Sequence, residues 1–153
     1  MEKKGAILSK ISSLIPRYVG YAEISERKNC DKIFRIYISN MLGFIEEQLH
    51  ARINTFISIT DRVQMNELNS FRNKINELKS SVEKEPYAVS GPISDLELIE
   101  NDLRSVCAFD LELIEHIDEL MHTVSEERSA SLHQMILEIE NILEKRTLLV
   151  KRF

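Results

Sequence analysis

Two glutamate–histidine pairs have the spacing that a metal site in a helical bundle uses. Glu47 precedes His50 and Glu119 precedes His122, each by three residues, so each pair shares one face of a helix. Di-iron bundles combine two such pairs with one further glutamate from each of two other helices. A carboxylate- and histidine-bound metal is therefore one alternative for this chain. Candidates for the further glutamates are Glu77, Glu138 and Glu140.

The helical phase of both pairs argues against that alternative. Metal ligands in a bundle must project inward. The first pair lies away from the apolar positions Ile45 and Leu49, and the second pair shares its face with Glu115 and Asp118. The chain also lacks a glycine-rich phosphate loop and a recognisable nucleophile motif. We therefore predict no metal, no cofactor and no catalytic residues, and an enzyme is the less favoured outcome.

A second set of candidates is a ladder of charges at steps of four. Glu23, Arg27, Asp31 and Arg35 alternate in sign. On an exposed helix such a ladder is solvated and contributes a few tenths of a kcal/mol per pair. Here, however, the spacing that leads back from the apolar position Phe34 passes through Asp31 and Arg27. These charges therefore fall in line with a hydrophobic seam.

Two later residues, Asp110 and Arg146, also occupy seam positions with apolar neighbours. In an up-down-up-down bundle, helices one and three run parallel, which brings Asp31, Asp110 and Arg146 to a similar height. We therefore predict an internal or half-buried ion-pair cluster, with Asp110 close to Arg27 or Arg35. Its expected role is to fix register, because desolvation offsets most of the Coulomb gain. The alternative role is to bind a small anion or a partner's carboxylate.

The elements that position these residues are all predicted to be helices. The chain has only four glycines and three prolines in 153 residues, so it has few turns, which favours long helices over many strands. Apolar residues recur at spacings of three and four, as in coiled coils and bundles. We expect one all-α domain, 1–153, in which a short amphipathic helix docks on an up-down-up-down four-helix bundle. The docking helix is 3–15, and the bundle helices are 21–59, 64–84, 94–125 and 130–152.

Some details of these helices follow from local signals. Thr60-Asp61 marks a kink or a helix start, and Ser94 with Glu97 forms a capping box. The seam of the first bundle helix is predicted to be Phe34, Ile38, Met41, Ile45, Leu49 and Phe56. That of the second is predicted to be Leu68, Phe71, Ile75, Leu78 and Val82. That of the last is predicted to be Leu132, Met135, Ile139, Ile142, Arg146, Leu149 and Phe153.

Aromatic residues are predicted to gather at one end of the bundle. The turn from Pro16 to Tyr21, the loop that contains Tyr87, and Phe153 all fall at that end in an up-down topology. The rings either plug the open end and hold the N-terminal helix, or form a face for a protein partner. The plug at the open end is the favoured alternative, and Tyr18 belongs to the aromatic group in either case.

The stretch "PRYVGYAEISERKNCDKIFR" resembles the opening of an uncharacterised prokaryotic family of small helical proteins, with the pattern P-G-Y-x-G-Y-x-E-x-E-x-R-R-x-x-D-K-x-x-R. Arg17, Ser25 and Lys28 depart from the pattern. A weaker similarity covers Phe109-Asp110 in a later helix. The resemblance implies an all-helical protein with Arg27, Asp31 and Asp110 as one unit, and it implies no activity. The matching residues are Pro16, Tyr18, Gly20, Tyr21, Glu23, Arg27, Asp31, Lys32 and Arg35.

These patterns predict an interaction or scaffold module without catalysis. A net charge of -5 argues against a general nucleic-acid binder, since phosphate binding needs a basic field. The expected partner is an unidentified protein, with a homodimer as an open alternative. A cytoplasmic location is expected because no segment reads as a signal peptide or membrane span. Contact of helix 3–15 with a membrane surface is a third, less favoured function.

Overall fold

The computed structural model describes residues 2–59, 62–87, 98–126 and 131–153, and every regular element in them is a helix. A single 3-10 turn, Ile24–Glu26, precedes the second α-helix. The all-α prediction is confirmed, and α2 to α5 form the four-helix bundle. The α-helices are α1 (Glu2–Leu14), α2 (Arg27–Ile59), α3 (Arg62–Glu83), α4 (Glu100–Ser125) and α5 (Leu132–Val150).

Contacts between helices establish the up-down-up-down order. Helix α2 packs against α3 and α4, and α5 packs against α4 and α3. Along α2, Arg35 reaches the carbonyl of Val82, whereas Glu46 pairs with Arg72, so α2 and α3 run in opposite directions. Asp110 pairs with Arg146 and His116 with Glu138, so α4 and α5 are also antiparallel.

The core follows the predicted seams, with local shifts. In α3 the predicted and buried residues coincide: Leu68, Phe71, Ile75, Leu78 and Val82. In α2, Leu42 is fully buried, whereas the predicted seam residue Met41 is only partly buried. In α5, Ile136 and Val150 are buried, whereas the predicted residues Met135 and Leu149 are only partly buried. A heptad repeat assumes 3.5 residues per turn, whereas a straight α-helix has 3.6, so the buried stripe drifts along a long helix.

The helix starts differ from the predicted ones. The first bundle helix begins at Arg27 rather than at residue 21. The third begins at Glu100, where the carboxylate of Asp102 accepts the N–H of Ile99 at 3.1 Å. That acidic residue in the first turn satisfies an otherwise unpaired donor, which explains the later start. The predicted cap 94–97 and the break at 60–61 lie outside the described residues.

Helix α1 docks on the bundle through its apolar face. Ile11 and Ile15 are buried, and α1 packs against α4. After α1 the chain turns back, and the hydroxyl of Ser12 donates to the carbonyl of Tyr18 at 2.9 Å. The apolar face that a membrane surface would need is therefore covered by the protein's own core. Among the described helices, none is both long and apolar enough to cross a membrane.

Gly20 shapes the turn that joins α1 to the rest of the bundle. Its φ of 82° lies in the left-handed region, which residues with a Cβ rarely adopt. A Cβ built there would lie 3.4 Å from Cδ1 of Leu8, which is an ordinary contact. The backbone angle, rather than lack of space, is therefore what requires glycine.

We expect Gly20→Ala to lower the free energy of unfolding by about 1–2 kcal/mol, the cost of a left-handed backbone for an L-residue. Urea unfolding followed by circular dichroism measures this. Gly5→Ala is the matched control, because a Cβ at Gly5 meets nothing within 4 Å and Gly5 lies in helix α1. That control should leave stability unchanged or raise it. Equal stabilities for the two variants would contradict the role given to Gly20.

Candidate functional site

A single guanidinium group lies at the centre of the bundle's charged cluster. Arg146 of α5 is 1% exposed, and its Nε donates to Oδ1 of Asp110 on α4. Its Nη2 lies 2.8 Å from Oδ1 of Asp31 on α2. Both aspartates are 0% exposed. One buried cation therefore joins carboxylates from two helices.

A second arginine extends the cluster to the end of α3. Arg35, on α2, donates from Nε to Oδ2 of Asp31 at 2.8 Å. Its Nη1 lies 3.3 Å from each of the carbonyl oxygens of Val82, Glu83 and Lys84. The last carbonyls of a helix lack partners within that helix and carry partial negative charge, which a cation offsets. Arg35 therefore caps α3 while it pairs with α2's own aspartate.

The cluster is balanced in formal charge and links all four bundle helices. Two carboxylates, Asp31 and Asp110, meet two guanidinium groups, Arg35 and Arg146, and all four residues are buried. Such balance is needed because an unpaired charge inside a protein costs several kcal/mol. The face of Phe34 also packs under Arg146, with the guanidinium carbon 4.7 Å from the ring centre. A cation over an aromatic face is attracted by the ring electrons.

Tyrosine hydroxyls complete the hydrogen bonding of the carboxylates. Tyr18 donates to Oδ2 of Asp110 at 2.7 Å, and Tyr21 donates to the same oxygen. The Tyr21 hydroxyl also accepts from Nη2 of Arg146 at 3.0 Å. On the other side, Tyr87 lies 2.7 Å from Oδ2 of Asp31. The predicted plug is thus also a set of hydrogen-bond donors to the ion pairs.

The aromatic rings pack around these hydroxyls. Tyr18 and Tyr21 make an edge-to-face contact with centroids 5.7 Å apart, and the Phe153 ring lies 5.0 Å from that of Tyr21. Tyr18 and Tyr21 are 1% and 2% exposed. The hypothesis that these two rings face a protein partner is therefore wrong, because both rings are buried in the core.

Two predicted positions need correction. Arg27 is half-buried at the first residue of α2, and its Nε donates to the carbonyl of Tyr21 at 2.7 Å. It holds the turn. Among the described residues, the cation beside Asp110 is Arg146 rather than Arg27 or Arg35. The physical reason is that Arg35 points toward the end of α3, where free carbonyls compete for it.

Burial and pairing shift the pKa values of the cluster. Burial raises the pKa of Asp110, although Arg146 and the tyrosine hydroxyls oppose that rise. Burial alone would lower the pKa of Arg146, but Asp110, Tyr21 and Asp31 hold that pKa well above its ordinary value. Burial first, and Asp110 second, raise the pKa of the phenols of Tyr18 and Tyr21. Both phenols therefore stay neutral in the fold.

The arrangement is suited to holding helices together rather than to reacting with a substrate. Burial raises the pKa of the nearby thiol of Cys30 to about 11, so that thiol is not a nucleophile at neutral pH. Two shallow grooves of about 290 and 250 Å³ run beside Arg35, with Lys32 and Glu85 in both. In the larger groove two cations are balanced by Glu83 and Glu85, whereas the smaller one has Lys28 and Lys32 beside Glu85, with its Arg35 already paired with Asp31. The aspartates themselves are sealed from solvent.

The glutamate–histidine pairs lie on the outside of the bundle. Glu47, His50, Glu119 and His122 are all exposed, as their helical phase predicted. His50 lies 3.4 Å from the side-chain amide of Asn54. In the part of the chain that the structure describes, no three metal-ligating side chains come together. The metal alternative therefore has no converging ligand set there.

Some members of the cluster were not predicted from the sequence. Phe34 was assigned to the seam, but not its contact with Arg146. Its place three residues after Asp31 on the same helical face could have indicated it. Cys107, whose sulfur lies 3.5 Å from the Tyr18 hydroxyl, precedes Asp110 by three residues and shares its helical face. The carbonyls at the end of α3 give no sequence signal at all.

Comparison of the chain with protein-family models, with curated proteins and with solved structures finds no match in any of the three.

We expect Asp110→Ala to lower the free energy of unfolding by about 3–5 kcal/mol, because it removes a partner from a buried cation. The double variant Asp110→Leu/Arg146→Met should be more stable than Asp110→Ala, because Asp31 and Arg35 remain paired with each other. Urea unfolding gives both values. Arg104→Ala is the control: its ion pair with Glu100 is exposed, so the change should stay below about 1 kcal/mol. An Asp110→Ala variant as stable as the parent would refute the buried pairing.

Stability should fall steeply in alkali because of Tyr18 and Tyr21. Their pKa values are raised above 10.0, so the fold favours the neutral phenols. The stabilisation is full below about pH 10 and is lost above it, as the unfolded chain ionises, with a limiting slope of about 2.7 kcal/mol per pH unit for two phenols. Denaturant unfolding across this pH range measures the slope. Tyr18→Phe should lower the slope by one phenol's share, about 1.4 kcal/mol per pH unit, while the raised pKa values of Tyr87 and Cys30 contribute equally in parent and variant. An unchanged slope in that variant would count against the assignment.

Proposed function

We propose that this protein is a non-catalytic interaction or scaffold module. The proposal is supported first by the use that the fold makes of its reactive groups. Asp31, Asp110 and Arg146 are paired with one another and sealed from solvent. Groups held in this way bind no substrate, because contact with a ligand would require breaking a buried pair. The buried charged groups thus serve to hold the helices together.

The observation that carries the proposal is the set of large apolar side chains left on the outside. Scattered exposed apolar residues are ordinary, but groups of them mark contact surfaces. One group lies at the turn after α1, where Val19 is 57% and Ile24 is 77% exposed. Another lies on α2, where Ile36 and Phe44 are 52% and 50% exposed. Leu137 and Leu148 are also exposed on one face of α5, about three turns apart.

A bundle of long, internally locked helices suits a scaffold. Rigid helices present side chains in fixed positions, so a partner binds without a large cost for ordering the surface. The proposal includes a cytoplasmic location, which the reduced state of Cys30 and Cys107 supports, since disulfides are rare in that compartment.

The test compares capture of proteins from a native lysate by the parent and by three double variants, one for each apolar group. The variants are Val19→Ser/Ile24→Ser, Ile36→Ser/Phe44→Ser and Leu137→Ser/Leu148→Ser. We expect one of them to lose at least about tenfold of a partner that the parent retains, because buried apolar contacts dominate binding energy. Circular dichroism should show the parent's helicity in all three. Capture of the same proteins by every variant, or of none by the parent, would overturn the proposal.

A further inference from the structure

The outer face of α2 carries an apolar stripe that no other element of the described chain covers. Ile36, Asn40 and Phe44 follow one another at steps of four and therefore share one helical face. All three are exposed, the two apolar ones to about half of their surface. Ile33 and Tyr37 are half-buried beside them. The stripe is therefore broader than the two most exposed residues.

The packing of the bundle explains why this face points outward. Ser39 and Glu46 contact α3 on one side of α2, through Glu83 and Arg72. On the other side, Gln48 donates to Ser125 of α4 at 2.9 Å. The stripe lies between these two contact lines, on the surface away from the core. None of the described residues would therefore have to move for a partner to reach it.

The residues of the stripe are arranged symmetrically along the helix. Ile36 and Phe44 lie four residues before and after Asn40. Lys32 lies eight residues before it and Glu47 seven residues after it, and both are exposed. The order along the face is thus cation, apolar, amide, apolar, anion. A two-fold axis through Asn40 would place each feature opposite its complement.

We propose that this face is the interface of an antiparallel homodimer whose two-fold axis passes beside Asn40. The proposal rests on the proposed function as an interaction module and names a second copy of the chain as the partner. Residue 36 of one copy then meets residue 44 of the other, so Ile36 packs against Phe44 of the partner subunit, twice. Isologous interfaces of this kind are the commonest in homo-oligomers.

Charge selects the antiparallel arrangement over the parallel one. In the antiparallel dimer Lys32 comes within one residue, about 1.5 Å of axial rise, of the level of Glu47 of the partner subunit. Symmetry makes this pair twice. In a parallel dimer each Lys32 would face its own copy, and each Glu47 likewise, so that like charges would repel. The amide of Asn40 meets its own copy at the axis, and a polar residue at such a place specifies register.

Sedimentation equilibrium of the full chain from about 1 µM to about 1 mM gives the first test, since a small helix–helix interface associates at micromolar concentrations or above. We expect Phe44→Glu to raise the dissociation constant at least about tenfold. Leu137→Glu, which alters an equally exposed apolar residue of α5, should leave it unchanged. A parent that stays monomeric throughout, or equal effects of the two variants, would overturn the dimer.

Charge exchange tests the register. Lys32→Glu and Glu47→Lys should each weaken the dimer by about fivefold, because each sets like charges together at two symmetric places. The double variant should recover the parent's dissociation constant. Weakening by both single variants without recovery in the double variant would contradict the antiparallel pairing.

Crosslinking tests the axis itself. Asn40→Cys should give a disulfide-linked dimer under mild oxidation, because the two substituted positions face each other. In Glu47→Cys they would be about 21 Å apart along the helices, so no crosslink should form. The parent, whose Cys30 is buried, is the background control. A crosslink in both variants or in neither would refute the axis. If these tests rule out the dimer, the proposed function is still tested separately by the capture of proteins from lysate.

Discussion

The guanidinium of Arg146 is the constraint on which the rest of the fold depends. It is almost wholly buried and lies between carboxylates from α2 and α4. A slide of any of these helices by one turn, about 5.4 Å, would leave a charge without its partner in a medium that solvates it poorly. Apolar seams tolerate such slides far better, because leucine and isoleucine repack against one another. The ion pairs thus specify a register that hydrophobic contacts alone leave open.

The surrounding elements serve this cluster as much as they cover it. Docking of α1 and the left-handed turn at Gly20 bring two phenols to one oxygen of Asp110. The end of α3 supplies carbonyls that hold Arg35, which in turn holds Asp31. Near the cluster, the unpaired backbone groups at a helix end and a buried charge therefore serve as partners for each other. Because these groups are already paired with one another, the interior offers little for chemistry, and the proposed contact surfaces lie on the outer faces.

Much of this could be predicted from spacing alone. The topology, the seam of α3 and the convergence of Asp31, Asp110 and Arg146 follow from periodicity and from the heights that an up-down bundle imposes. Which arginine pairs with Asp110 could not be predicted, because Arg35 has the carbonyls of α3 as competing partners and backbone groups leave no mark in a sequence. The fate of Tyr18 and Tyr21 was equally open, since a tyrosine serves a core and a contact surface with the same atoms.

The separation of these residues along the chain has a consequence for synthesis on the ribosome. Tyr18 and Asp110 are 92 residues apart, and Tyr21 and Arg146 are 125 apart. During translation both aspartates leave the exit tunnel before Arg146, which pairs with each of them. The nascent chain can form individual helices early, but its interior cannot close until α5 has been made. Until then, chaperones would meet a chain whose hydrophobic surfaces are still open.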